Sequence, residues 1–159
     1  ILIQKPVREL EQCRKNKVIY EKQLVEGFFK LEQIEGRVID MTLNLGWKEN
    51  ECYKFEMNFA EDENYKTVLS FRPRESLLEI DRKYSGSRRE ICHQACCKVK
   101  KVENLKLRII LDLYSAEVFV NDGEQVLTTT FYTPLSAKGI SFNIDGKISL
   151  DVEKYDLDL

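Results

Sequence analysis

The chain has 159 residues, with 25 basic against 27 acidic side chains and a formal net charge of −2. This near-neutral balance provides no electrostatic footprint for nucleic acid or an anionic membrane surface, and no apolar stretch approaches the ~20 residues that a spanning helix needs. The length suits one domain able to bury roughly 70% of its unfolded surface. No repeat, low-complexity tract or internal linker divides it. No signal-peptide pattern opens the chain, and it starts at Ile1 rather than Met, so it is expected to be a piece of a longer polypeptide.

In chain order, Pro6, Glu9 and Glu11 open a short helix, with Val7, Leu10 and Cys13 or Arg14 recurring at helical spacing. Residues 1–15 are assigned to an interdomain linker with this helix, and 16–159 to the domain proper. From Val18 the period switches to two. Strands are predicted over 18–25, 34–45, 51–60, 65–71, 77–82 and, with weaker alternation, 92–102. Turn chemistry separates them at Gly46-Trp47-Lys48-Glu49-Asn50, Glu61-Asp62-Glu63-Asn64, Arg72-Pro73-Arg74-Glu75 and Ser85-Gly86-Ser87.

Residues 105–134, LKLRIILDLYSAEVFVNDGEQVLTTTFYTP, carry the densest signal. Leu105, Leu107, Ile109, Leu111 and Leu113 alternate with Lys106, Arg108 and Asp112, and Ala116, Val118 and Val120 alternate with Glu117, Phe119 and Asn121. Asn121-Asp122-Gly123 tolerates positive φ and predicts a tight hairpin turn before a strand beginning at Gln125. Two further strands follow at 139–143 and 146–155. Ten or more strands with one apolar face each close most economically as two packed antiparallel sheets.

The 105–134 run closely resembles the C-terminal β-sandwich domain of glycoside hydrolase family 32, the invertases, fructanases and sucrose-6-phosphate hydrolases. The entry QKPVRELEQCR at 4–14, the strand LLEIDRKYSG at 77–86, and the closing GISFN and GKISLDVEKY fall in the family's order. The chain departs from the family at Asp112-Leu113-Tyr114, where Asp-Arg-Ser is usual, and at Lys83, which replaces a common Ser after Asp81-Arg82. The resemblance implies an all-β, two-sheet antiparallel sandwich of the concanavalin or lectin jelly-roll type, with a short N-terminal linker helix. It makes Asp81, Arg82, Arg108, Asp112, Glu117, Asn121 and Gly123 structural motif residues, and Gln4, Pro6, Val7, Glu9 and Leu10 candidates for the domain junction.

Family members cleave fructosides with an Asp nucleophile and a Glu acid/base in an N-terminal five-bladed propeller, in motifs of the form WMNDPNG, RDP and EC. The first two are absent here. Glu51-Cys52 lies in the alternating segment ENECYKFEMNFA, and Trp47 lacks the accompanying Asn-Asp-Pro. No catalytic residue, metal ligand or cofactor is therefore assigned. The resemblance implies the role of a non-catalytic accessory domain of a β-fructosidase that stabilises the propeller of the same polypeptide, with homodimer formation or shaping of the pocket rim as further roles between which the sequence does not choose. The alternative is a lectin-like module that binds fructosides itself, with Trp47 as the sugar or interface aromatic and Tyr84, Tyr114 and Tyr132 as further platforms.

Five cysteines, an odd number, exclude a complete disulfide framework. Free thiols suit a bacterial cytoplasm, and no Asn-x-Ser/Thr acceptor supports the secreted alternative. CHQACC at 92–97 contains ligands that zinc prefers, but on a strand Cys92 and Cys96 face one way while His93 and Cys97 face the other, which opposes convergence.

Overall fold

A computed structural model describes residues 2–86, 94–100 and 103–159. Ser87, Cys92, His93 and Val102 lie outside the described residues. The elements are α1 (Glu9–Gln12), β1 (Arg14–Phe29), β2 (Ile39–Gly46), β3 (Cys52–Glu61), β4 (Thr67–Arg72), β5 (Leu77–Asp81), β6 (Gln94–Lys98), β7 (Asn104–Asp112), β8 (Ser115–Val120), β9 (Gln125–Thr130) and β10 (Gly139–Leu157). The helix is a single turn with no buried residue. A 3-10 turn joins β8 to β9, and Asn121, Asp122 and Gly123 all have positive φ, as the tight-turn reading requires.

Among the described residues all pairings are antiparallel, and they form one ten-stranded sheet in the order β6-β5-β4-β3-β10-β2-β7-β8-β9, with β1 also on β10. Two separate sheets were the expectation; the difference originates in β10. The strands predicted at 139–143 and 146–155 are one strand, whose first half pairs with β3 and whose second half pairs with β2. The passage falls at Gly146, which has φ +107° and where a Cβ would overlap the Glu51 carbonyl oxygen. Lys147 N–H donates to that same oxygen at 2.8 Å. A glycine that reads locally as a turn is here the bulge that carries one strand through both limbs of a bent sheet.

The two limbs face each other across a single core. Met41, Leu43, Leu107 and Ile109 contribute from one limb, and Phe55, Met57, Leu69 and Leu78 from the other, all buried. Phe29 stacks on Phe142 at 5.1 Å, and Phe59 meets Phe131 edge-on at 5.7 Å, geometries that add to the ~25 cal/mol per Å² of apolar burial. The far edges also meet. Tyr132 N–H donates to Ser85 O at 2.8 Å, and Arg82 Nη1 donates to the Thr130 carbonyl and Oγ1 at 3.2 and 3.0 Å. The sheet is thereby nearly closed. Strand β1 pairs only with β10 among the described residues, and its outer edge is interrupted by register shifts at which Asn16, Lys22 and Gly27 take positive φ. Bulges and charged side chains of this kind blunt a long edge against further pairing.

One corner depends on a buried cation. Arg37, 5% exposed, donates to the carbonyls of Leu113, Thr133, Pro134 and Ala137 and to Thr133 Oγ1, at 2.5–3.2 Å. Its guanidinium also lies over the rings of Phe131 and Tyr114 at 5.0 and 5.6 Å. Burial pushes its pKa below the ordinary arginine value, and the Tyr114 phenol opposes that shift. The planar fork suits several carbonyls at once, which an ammonium cannot match. Arg37→Lys is expected to lower the unfolding free energy by about 2–3 kcal/mol in urea denaturation, because buried carbonyls lose their donors; a change below ~0.5 kcal/mol would contradict that role.

Candidate functional site

The strongest electrostatic feature is a carboxylate near one end of β2, on the outer face of the first limb, the one that contains β2 and β7. Alternation in β2 turns Ile39, Met41, Leu43 and Leu45 inward and Asp40, Thr42 and Asn44 outward. Asp40 is nevertheless 1% exposed. Arg108 from β7 grips it as a fork, Nε to Oδ1 at 3.0 Å and Nη2 to Oδ2 at 2.8 Å. Arg14, at the start of β1, adds Nε and Nη2 to Oδ2, both at 2.8 Å. Paired, charge-assisted bonds of this geometry compensate the desolvation of a buried carboxylate. Tyr155 supports Arg14 from below, 4.5 Å from ring to guanidinium, and Glu11 of α1 approaches Arg108 Nη1 at 3.8 Å.

Over this clamp runs the segment that leads into β1. Gln4 N–H donates to the Gly123 carbonyl at 3.0 Å. A Cβ at Gly123 would overlap the Gln4 carbonyl oxygen, so glycine is required there by close backbone approach as well as by its φ of +98°. A polar groove results, lined by Gln4, Pro6, Glu11, Arg108, Phe119 and Asp122 among others. Of the proposed junction residues, Gln4, Val7 and Glu9 are exposed and Pro6 and Leu10 half-buried.

The motif residues do not converge on one site. Asp81 Oδ1 accepts Lys83 N–H and Asp112 Oδ1 accepts Leu113 N–H, each at 2.8 Å, as turn-forming carboxylates do. Arg82 ties the limb edges, Asn121 Oδ1 accepts Lys106 N–H at 3.0 Å, and Glu117 is exposed on β8. Of the motif residues only Arg108 joins the clamp; Asp40 is not singled out in the sequence, and Arg14 reads there as a position of the helical stripe, whereas it is the first residue of β1. The one local signal was an aspartate inside a β-branched and aliphatic run, where it is disfavoured unless paired.

The aromatic residues lie apart. Register pairs Gly46 with Asn104 and Ile39 with Leu111, which puts Trp47 and Tyr114 at opposite ends of the limb. Tyr84 and Tyr132, exposed like Tyr114, belong to the Tyr114 end through the Phe131–Tyr114 and Tyr132–Ser85 backbone bonds. Trp47 is half-buried, its ring 5.6 Å from Phe71.

Cys52 opens β3, and its thiol is pushed up to about 11, chiefly by burial and further by Asp145, against a hydrogen bond from the Lys54 backbone. Such a thiol is inert at neutral pH. Cys97 is raised too, by burial and then by Cys96; it points toward the core while Cys96 is exposed. Among the described residues no group of three or more His, Cys, Asp or Glu side chains has the geometry of a metal site. The Asp156 carboxyl is held below its ordinary value. Burial raises it, but hydrogen bonds from Asn16 and Lys154 and the charges of Lys154 and Lys15 outweigh burial and hold it low. A glycosidase acid needs the opposite shift.

Residues 9–157 match the family described as glycosyl hydrolases family 32 C terminal, and the chain belongs to that family. Among known proteins, it is 28% identical to the sucrose-6-phosphate hydrolase of Staphylococcus xylosus over 98% of its own length and 32% of the relative's. It is 27% identical to a levanase of Bacillus subtilis over 87% of this chain and 22% of that protein. Its fold matches those of a sucrose-6-phosphate hydrolase from Lactobacillus gasseri (TM-score 0.80, 20% identity, 98% of this chain and 31% of the other) and of an exo-inulinase from Aspergillus awamori (0.81, 16%, 98% and 32%). The chain thus spans about a third or less of the length of these relatives.

Two substitutions test this face. Asp40→Ala leaves two half-buried guanidinium groups facing each other and is expected to lower stability by about 3–5 kcal/mol in chemical denaturation; a loss under ~1 kcal/mol would show the clamp to be incidental. Gly123→Ala is expected to free the entering segment and accelerate tryptic cleavage after Arg8 several-fold, whereas unchanged cleavage would contradict the close approach.

Proposed function

We propose that this chain is the non-catalytic C-terminal accessory domain of a β-fructosidase acting on sucrose, sucrose 6-phosphate or fructans. The observation that carries the reading is the family match across 9–157 on a chain that corresponds to about a third of the first relatives' length. In this reading the two limbs are the layers of a lectin-like sandwich, and the partner is a five-bladed catalytic propeller on the same polypeptide. The segment from Leu2 to Gln12 would then be the route by which that partner is joined. Its seating on Gly123, above the Asp40 clamp, would hold the two domains at a fixed angle rather than on a loose tether. Apolar side chains on it, Leu2, Ile3 and Val7, are 80%, 54% and 63% exposed, surface that a neighbouring domain would cover. We place the protein in a bacterial cytoplasm, in keeping with free thiols at Cys13, Cys52, Cys96 and Cys97.

The test is hydrolysis of sucrose and sucrose 6-phosphate by this chain, by its catalytic domain expressed separately, and by the two mixed. The accessory role predicts no turnover by the chain alone, and activity restored or protected against heat in the mixture. Turnover by the 159-residue chain would overturn it.

A further inference from the structure

A second concave site lies at the Gly46 end of the first limb, remote in register from the Tyr114 end and built from turns rather than from the clamp face. Trp47 is fixed at its wall by backbone and ring together: its N–H donates to Glu103 O at 3.0 Å, and its indole leans on Phe71 at an interplanar angle of 52°. Arg74, from the β4–β5 turn, lines the same cleft. Its guanidinium lies 4.8 Å over the Tyr53 ring and donates through Nη2 to Asn50 Oδ1 at 3.4 Å, which orients the fork while leaving most of its five donors for another acceptor. Glu49, Asn50 and Glu103 complete the polar lining.

These groups are complementary to one class of small molecule. A half-buried indole offers an apolar platform for C–H groups, while a guanidinium fork, an amide and two carboxylates offer planar donors and acceptors for vicinal hydroxyls. A purely apolar ligand would leave the polar groups unpaired. An anion would meet two carboxylates against a single guanidinium among the lining charges. We propose that the Trp47–Arg74 cleft binds a neutral saccharide unit and discriminates against a phosphorylated one. Arg74 and Glu103 bond its hydroxyls and Trp47 stacks on its ring. This site is independent of the scaffold role and can fail or hold without it.

Trp47 is the sole tryptophan of the chain, so its emission reports on this cleft alone. The experiment titrates sucrose, short inulin oligosaccharides and sucrose 6-phosphate into the parent chain, Arg74→Ala and Glu103→Gln, each variant first checked for an unchanged thermal transition. The expected result is a saturable change in emission with a neutral probe, in the millimolar range. Sucrose 6-phosphate should bind more weakly than sucrose, and affinity should fall about tenfold in either variant, as loss of one charge-assisted hydrogen bond requires. Should Arg74→Ala disturb the turn, Glu103→Gln, which keeps the side chain's shape, decides alone. A linear, non-saturating response to both neutral probes would overturn the proposal. So would affinity unchanged in the variants, or tighter binding of the phosphorylated sugar.

Discussion

A carboxylate excluded from water on the face of a sheet has to be surrounded by donors, and around Asp40 those donors come from both ends of the chain's folding problem. Arg108 lies on the neighbouring strand, 68 residues away in sequence, whereas Arg14 is the first residue of β1, which pairs with β10. Satisfying one carboxylate therefore fixes the register of β2 against β7 and the point at which β1 joins β10. It also fixes where the entering segment lies, because Glu11 and Gln4 approach the same groove. A slip of one residue in β2 would turn Asp40 into the core and Met41 out of it.

Backbone proximity is the second constraint. At Gly123 the entering segment passes so close to the β8–β9 turn that no side chain fits, and at Gly146 the turn before β3 crowds β10 in the same way. The first contact seats the segment; the second lets a single strand serve both limbs. Both glycines also have positive φ, so conformation and space select the same residue. Arg37 has a comparable role in the corner between β9 and β10, where irregular backbone would otherwise bury carbonyls without donors.

The strands were legible in the sequence because alternation is a local property: Leu105 to Leu111 and Ile39 to Leu45 point inward as their spacing predicts. Positive φ at Asn121, Asp122 and Gly123 was legible for the same reason. The joining of the last two predicted strands was not, since Gly146 carries a turn signal and only its packing on Glu51 shows it to be a bulge. The clamp was hidden more thoroughly. With 33% charged residues, nothing local distinguishes Arg14 or Arg37 from solvated surface, Asp40 is marked only by its aliphatic neighbours, and the partners of all three are distant in sequence. The Trp47 turn was visible as an aromatic in a polar loop, but its cleft is formed by Arg74 and Glu103, from other turns.

These elements describe a domain whose entering segment is part of its folded structure rather than a tether, which is what an accessory domain needs if it is to stabilise a partner at a fixed orientation. Native-state hydrogen exchange measures this most directly, at the Gln4 amide compared with the amides of β2 and β7. Gln4 is expected to be protected and to open with an energy approaching that of the sheet. Exchange of Gln4 at the rate of a free peptide, with Met41 and Ile109 still protected, would contradict it.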